Sequence, residues 1–203
     1  MIALGIDTSM PIVSFAVVKD GQLLSHFNED VGRNLADKIS EIIKDVMNRA
    51  NVKLHEIERC GIVVGPGSFT GLRIGLAFAK GFFAGADTKI ASVSSLECIA
   101  RSSGKVGNIS VFSDARQGEV FFAKFSNDGG FIRLSNDERI LREEALLKCE
   151  SDDKIIEISE NLSLSQTCGE TAAKIALQSF DLTTVDEVFP NYMQVSYAER
   201  CKK

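Results

Sequence analysis

The run Gly65-Pro66-Gly67-Ser68-Phe69-Thr70-Gly71-Leu72-Arg73-Ile74-Gly75 constrains this chain more than any other stretch. It follows Cys60-Gly61-Ile62-Val63-Val64, a short apolar run that reads as a buried strand. It leads into Leu72–Ala86, an Ala-rich apolar stretch that reads as a buried helix. A strand that turns through glycines into a helix N-terminus aims unpaired backbone N–H groups at one spot, where the helix dipole favours an anion. Two readings are open: a phosphate-facing turn, or tight packing of helix on sheet. The turn is not a Walker A loop, since no Gly-Lys-Ser/Thr follows, and it lacks the Gly-x-Gly-x-x-Gly order of a dinucleotide site. Nor is it a serine-hydrolase elbow, because Thr70 stands where that motif needs glycine. Ser68 or Thr70 reads instead as a helix N-cap.

The hydrophobic pattern around this run defines a repeated unit. Ile2–Ile6, Ile12–Val18 and Gln22–Asn28 read as strands, with Lys19-Asp20-Gly21 as a hairpin turn. Asn34–Ala50 switches to helical period. Leu35, Ile39, Ile42, Ile43, Val46, Met47 and Ala50 share one face, opposite Asp37, Lys38, Glu41, Lys44 and Asp45. The strand before the glycine turn, the helix after it and a strand at Ile90–Val93 complete a β-β-β-α-β-α half. The second half repeats this order loosely, with strands at Ile109–Ser113, Glu119–Phe125, Phe131–Ile140 and Lys154–Ile158. Its helices are Glu143–Cys149 and Glu170–Phe180. The polar stretch Arg101–Gly107 predicts lobes at residues 1–102 and 103–203, the second smaller and degenerate. Two such α/β units around a cleft resemble the actin-like ATPase fold (ASKHA, ribonuclease H-like) of actin, sugar kinases and heat-shock ATPases.

Composition removes several function classes. The chain has 203 residues, 44% of them hydrophobic and 25% charged, enough for a substantial core. A formal net charge of −5 lacks the basic footprint of a chain that grips nucleic acid by itself. No uncharged run is long enough to span a bilayer, and Asp7 breaks the apolar start, so neither a membrane span nor a signal peptide is expected. Five cysteines (Cys60, Cys98, Cys149, Cys168, Cys201) are scattered without a Cys-x-x-Cys pair, which predicts reduced thiols in the cytoplasm and no structural zinc. The two histidines, His26 and His55, form no helical pair for a transition metal.

Asp7 follows the first strand, where ATPases of this fold hold hydrated Mg²⁺, with Thr8 and Ser9 able to add hydroxyls. The same residues could equally stabilise their own turn. Asp114 is the candidate second carboxylate, although Arg116 and Glu119 beside it could simply form an ion pair. Asp7, Thr8, Gly65, Gly67, Ser68 and Asp114 are therefore the candidate nucleotide- and phosphate-facing set. The helix Leu72–Ala86 is apolar in nearly every direction, and Gly71, Gly75, Gly81 and Gly85 permit close backbone approach. Its cover comes from the sheet together with the first helix, another subunit or both, or from full burial in one lobe.

At residue level the chain resembles one family, the bacterial tRNA threonylcarbamoyladenosine biosynthesis proteins TsaB, also called YeaZ. The likeness rests on Ile6-Asp7-Thr8-Ser9, on the Gly65–Gly75 run with Ala77-x-Ala79-Lys80-Gly81, and on Ser92-Val93-Ser94-Ser95-Leu96-Glu97. It continues in Asp114-Ala115-Arg116-Gln117-Gly118-Glu119-Val120-Phe121 and in Pro190-Asn191-Tyr192. Between Ser126 and Phe189 it is a likeness of element order alone. The resemblance implies a non-catalytic partner, a pseudoenzyme, of the larger TsaD-type subunit. That subunit carries a metal and modifies adenosine 37 of tRNAs reading codons that begin with A. It further implies a TsaE-type ATPase as a third component, a homodimer when the chain is alone, and tRNA held only through the complex. Pairing through the helices of the N-terminal lobe makes Leu35, Ile39, Ile43, Met47, Gly75, Phe78 and Phe82 the expected partner-facing residues. No tightly bound cofactor is expected, only weak ATP or ADP and Mg²⁺ contact. The rival expectation is an ATP- and Mg²⁺-dependent phosphotransferase or ATPase of the same fold, with Asp7 and Asp114 at the metal. A peptidase reading is weaker still, because no metal pair or triad can be assembled.

Overall fold

The computed structural model describes residues 1–158, 163 and 167–193; Cys201 and the end of the expected second lobe lie outside them. The first sheet contains β1 (Ile2–Asp7), β2 (Ile12–Lys19), β3 (Gln22–Asp30), β4 (Arg59–Gly65) and β5 (Lys89–Ser94), in the order β3-β2-β1-β4-β5. The first three strands form an antiparallel meander, and β4 and β5 add in parallel. Parallel neighbours need crossovers, which α1 (Leu35–Arg49) and α2 (Phe69–Phe82) supply. A third helix, α3 (Ser95–Ser102), leads to the second sheet. There β6 (Gly107–Arg116) and β7 (Glu119–Asn127) form a hairpin, with β8 (Phe131–Arg133) and β9 (Glu138–Leu141) on β7. After α4 (Arg142–Leu147), β10 (Lys154–Glu157) pairs in parallel with β6, and α5 (Cys168–Gln178) follows.

Strand alternation sorts the side chains into layers. Leu4, Ile6, Cys60, Ile62 and Ile90 face α1 and α2, while Val63, Ala91 and Val93 face the opposite way. Ile109, Val111, Phe121, Ala123 and Phe125 of the second sheet meet them across α3 and α5. Phe112, Val120 and Phe122 point outward to Ala145 of α4. The order of layers is α1/α2, first sheet, α3/α5, second sheet, α4.

Two glycines let α5 sit on the first sheet. Gly5 and Gly61 are register partners on β1 and β4. A Cβ at Gly5 would overlap the carbonyl oxygen of Gly169, and one at Gly61 that of Ala172. Beyond α5 the chain stays with the first sheet. Thr183 exchanges two backbone hydrogen bonds of 2.9 Å with Ile90, and Val185 and Val188 enter the α1/α2 core.

Sequence and structure differ by a residue or two at the ends of several elements, the helix expected at Glu170–Phe180 being Cys168–Gln178, and differ more at three places. Helix α2 starts at Phe69 rather than Leu72, because the Ser68 hydroxyl caps it by accepting the Gly71 amide at 3.2 Å. It stops at Phe82, before Gly85, which adopts φ +75°. The single strand expected at Phe131–Ile140 is two short strands, and α3 was not anticipated as a helix.

Candidate functional site

The glycine turn closes on the chain's own residues. Gly67, Gly71 and Gly75 are four apart, and the Thr8–Ser9 turn after β1 lies along them. A Cβ at Gly67 or Gly71 would strike the backbone of Ser9 or Thr8, and one at Gly75 would strike the Thr8 hydroxyl. Thr8 Oγ1 donates to the Gly71 carbonyl at 2.8 Å, and the Ser68 amide donates to the Ser9 carbonyl at 2.8 Å. The amides that could greet a phosphate at Ser68 and Gly71 are therefore used internally. Gly65 (φ +118°) is overlaid by Asn191, whose amide donates to the Val64 carbonyl at 2.8 Å.

Asp7 is 0% exposed. Its Oδ1 accepts the Ser9 amide at 2.8 Å and the Ser9 hydroxyl at 2.6 Å, while Oδ2 lacks a hydrogen bond of normal length. Burial pushes the carboxyl's pKa up, against the lowering effect of Ser9 and of the Cys168 thiol. Asp114, by contrast, is exposed at the end of β6 and accepts the Arg116 amide at 3.0 Å. The ion pair weighed for Arg116 and Glu119 does not form; Glu119 pairs with Arg139. One candidate carboxylate is sealed and the other faces solvent. Among the described residues, no three of His, Cys, Asp and Glu are grouped so as to hold a metal ion. The residues present do not fit a Mg²⁺-nucleotide clamped between Asp7 and Asp114.

The expected partner-facing residues divide by depth. Leu35, Ile39, Ile43 and Met47 lie under α1 in this chain's own core, Ile43 at 0% exposure. Gly75 is buried against Thr8. Phe78 and Phe82 are half-buried, with rings stacked at 5.0 Å, and Ile74 continues the same flank. Ala77 and Gly81 beside them are exposed.

The opposite flank of α2 is covered by the chain after α5. Lys80 Nζ donates to the Asp186 carbonyl at 3.1 Å and lies 5.0 Å from the Phe189 ring. Arg73 donates to the Tyr192 hydroxyl at 2.9 Å and stacks 3.8 Å over Phe69. Helix α2 thus receives most of its cover within one chain and keeps a single apolar flank, Ile74-Phe78-Phe82. The strap over α2 was missed in the sequence, where only Pro190-Asn191-Tyr192 signalled it.

Residues 28–193 match the protein family described as TsaD, tRNA N6-adenosine threonylcarbamoyltransferase. The chain belongs to the TsaD family. Within that family it is similar to TsaB proteins. The tRNA threonylcarbamoyladenosine biosynthesis protein TsaB of Escherichia coli is 34% identical over 145 residues, 70% of this chain. That match spans 62% of the E. coli protein's length, less than two thirds. The fold is that of YeaZ from Pseudomonas aeruginosa, with a TM-score of 0.80 at 20% identity over 95% of this chain and 99% of that one. A more distant neighbour is the 2-hydroxyisocaproyl-CoA dehydratase activator of Clostridium difficile, solved with bound ADPNP. It has a TM-score of 0.51 at 11% identity, over 89% of this chain and 95% of that one. The α/β actin-like architecture expected from the doubled β-β-β-α-β-α pattern is the one this TsaD-family chain adopts. Among its described residues, no helix is long and apolar enough to cross a membrane.

Proposed function

We propose that this chain is a non-catalytic subunit in the threonylcarbamoyladenosine modification of adenosine 37 in tRNAs reading codons that begin with A. It pairs with a TsaD-type catalytic subunit, works with a TsaE-type ATPase, and meets tRNA only through the assembly. The observation that carries the reading is the filled glycine turn. Where a nucleotide-using relative would offer amides and a carboxylate, Thr8, Ser9 and Asp7 are consumed in the chain's own packing. Nucleotide contact at this face is at most weak. The similarity to TsaB proteins supplies the pathway, and the net charge of −5 agrees with tRNA being held by another subunit.

The pairing surface is the apolar flank of α2. Phe78 and Phe82 remain half-buried in the isolated chain, and exposed Ala77 and Gly81 let another helix approach closely. Leu35, Ile39, Ile43, Met47 and Gly75 act from beneath by holding α1 and α2 in place.

Light scattering after size-exclusion chromatography tests this on the full chain, alone and mixed with a TsaD-type subunit. The expected result is a homodimer that gives way to a mixed complex, with both assemblies weakened by Phe82→Asp and by the surface change Ala77→Glu. A monomer indifferent to that subunit would overturn the proposal. Mg²⁺-dependent ATP hydrolysis abolished by Asp7→Ala would favour the rival phosphotransferase instead.

A further inference from the structure

The side of α1 away from α2 carries a groove of about 370 Å³ that the pairing surface does not use. Its floor is Phe27 of β3, Val31 just after that strand and Ile42 from α1, each half-buried against the α1/α2 core. Glu29, Asp30, Glu41 and Asp45 stand around this floor, with Lys38 as the one cation among the lining residues. Four carboxylates against one ammonium give the lining a charge of −3 (1 − 4), softened at Asp45 by Arg49 at 3.0 Å. Lys38, Glu41, Ile42 and Asp45 form one stripe along two turns of α1. Phe27 and Glu29 share one side of β3 by strand alternation, and Val31, just past the strand's end, lines the same groove.

A second feature adjoins the groove. β3, nine residues long, is the terminal strand of its sheet and, among the described residues, pairs only with β2. An open strand edge is a template for another strand. An apolar floor beside it offers pockets for alternate side chains of whatever is added.

We propose that this edge and groove receive an extended segment of a partner protein in which apolar residues alternate with lysine or arginine. The segment adds its backbone to β3, its apolar side chains enter over Phe27, Val31 and Ile42, and its cations face the carboxylates. Charge selects this occupant. A second copy of the chain would bring like charge to like, and nucleic acid would bring phosphates to carboxylates. The inference stands apart from the α2 pairing surface, since the groove contains no residue of α2.

The test is nuclear magnetic resonance titration of the isotopically labelled full chain with the synthetic peptide Lys-Val-Lys-Phe-Lys-Val-Lys. The expected result is saturable shifts at the Val31 and Ile42 methyls and the β3 amides, weakened by added salt. In the double variant Glu41→Lys/Asp45→Lys, both positions being exposed, affinity should fall by about tenfold or more. An unchanged melting temperature would show that this variant is folded. Three outcomes overturn the proposal: no shifts at those groups, equal binding of Glu-Val-Glu-Phe-Glu-Val-Glu, or equal binding of Lys-Ser-Lys-Ser-Lys-Ser-Lys. Concentration-dependent shifts of the same methyls without peptide would assign the groove to a second copy, and they too overturn it. Loss of pairing with a TsaD-type subunit is read separately in Ala77→Glu, which leaves the groove intact.

Discussion

A carboxylate sealed in an apolar interior must find donors or give up its charge. Asp7 does some of each: Ser9 supplies two donors to one oxygen, while burial raises the pKa of the group. The sign of the pH dependence follows. A carboxyl whose folded pKa lies above its unfolded value favours the fold fully below the unfolded pKa, and that contribution is lost as pH rises through the folded pKa. Asparagine keeps an acceptor for Ser9 and carries no charge. Asp7→Asn is therefore expected to melt at or above the parent's temperature at pH 8 and to flatten this part of the profile. Asp7→Ala, which leaves the Ser9 donors unmet, should lose about 1–3 kcal/mol. Thermal melts across pH 4 to 8 decide it; an Asn variant far less stable than the parent at pH 8 would mean a charged, paired carboxylate.

Among the elements, the contact between α5 and the first sheet is the most demanding. Backbone meets backbone there, because Gly5 and Gly61 lie opposite each other and Gly169 and Ala172 sit on them. Gly61→Ala is expected to destabilise the fold by about 3 kcal/mol, as neither the strand nor the helix has a flexible side chain that could move aside. Chemical denaturation would read this directly, and a loss below 1 kcal/mol would show that α5 can lift. Such a contact is invisible in the sequence, where Gly5 and Gly61 look like interruptions in two apolar strands. The strands themselves were legible, since Ile2–Ile6 and Ile12–Val18 have boundaries set by charge and turn residues. Helix α3 was hidden by its eight-residue length, although Ser94 three residues before Glu97 is a capping signal that was there to be read. The candidate site was legible in its residues but not in its direction. The resemblance to actin-like ATPases grouped Asp7, Thr8 and the glycines as one face, and only the fold reveals that Thr8 and Ser9 fill it.

At the scale of the molecule, α3 and α5 are shared property. Each sheet buries one face on them, and the cluster between runs unbroken from Val63 and Val93 to Val111 and Phe125. Ionic contacts tie the same layer together: Arg133 bridges Asp137 at 2.8 Å and Glu97 of α3 at 3.4 Å, and Ser94 donates to Asp137 at 3.0 Å. Neither sheet can lose its partner without exposing this layer, so calorimetry should record one transition with equal calorimetric and van't Hoff enthalpies. Two resolved transitions would contradict it.

The return of the chain to its first sheet also bears on how the molecule is made. When residues 1–102 have left the ribosome, Gly5 and Gly61 face no helix, Ile90 has no strand-edge partner, and α2 lacks one of its walls. Completion of the first half waits for residues 168–193, so both halves close on the same late segment of the chain. During that interval the nascent chain displays an uncovered apolar sheet face, the kind of surface that holding chaperones recognise.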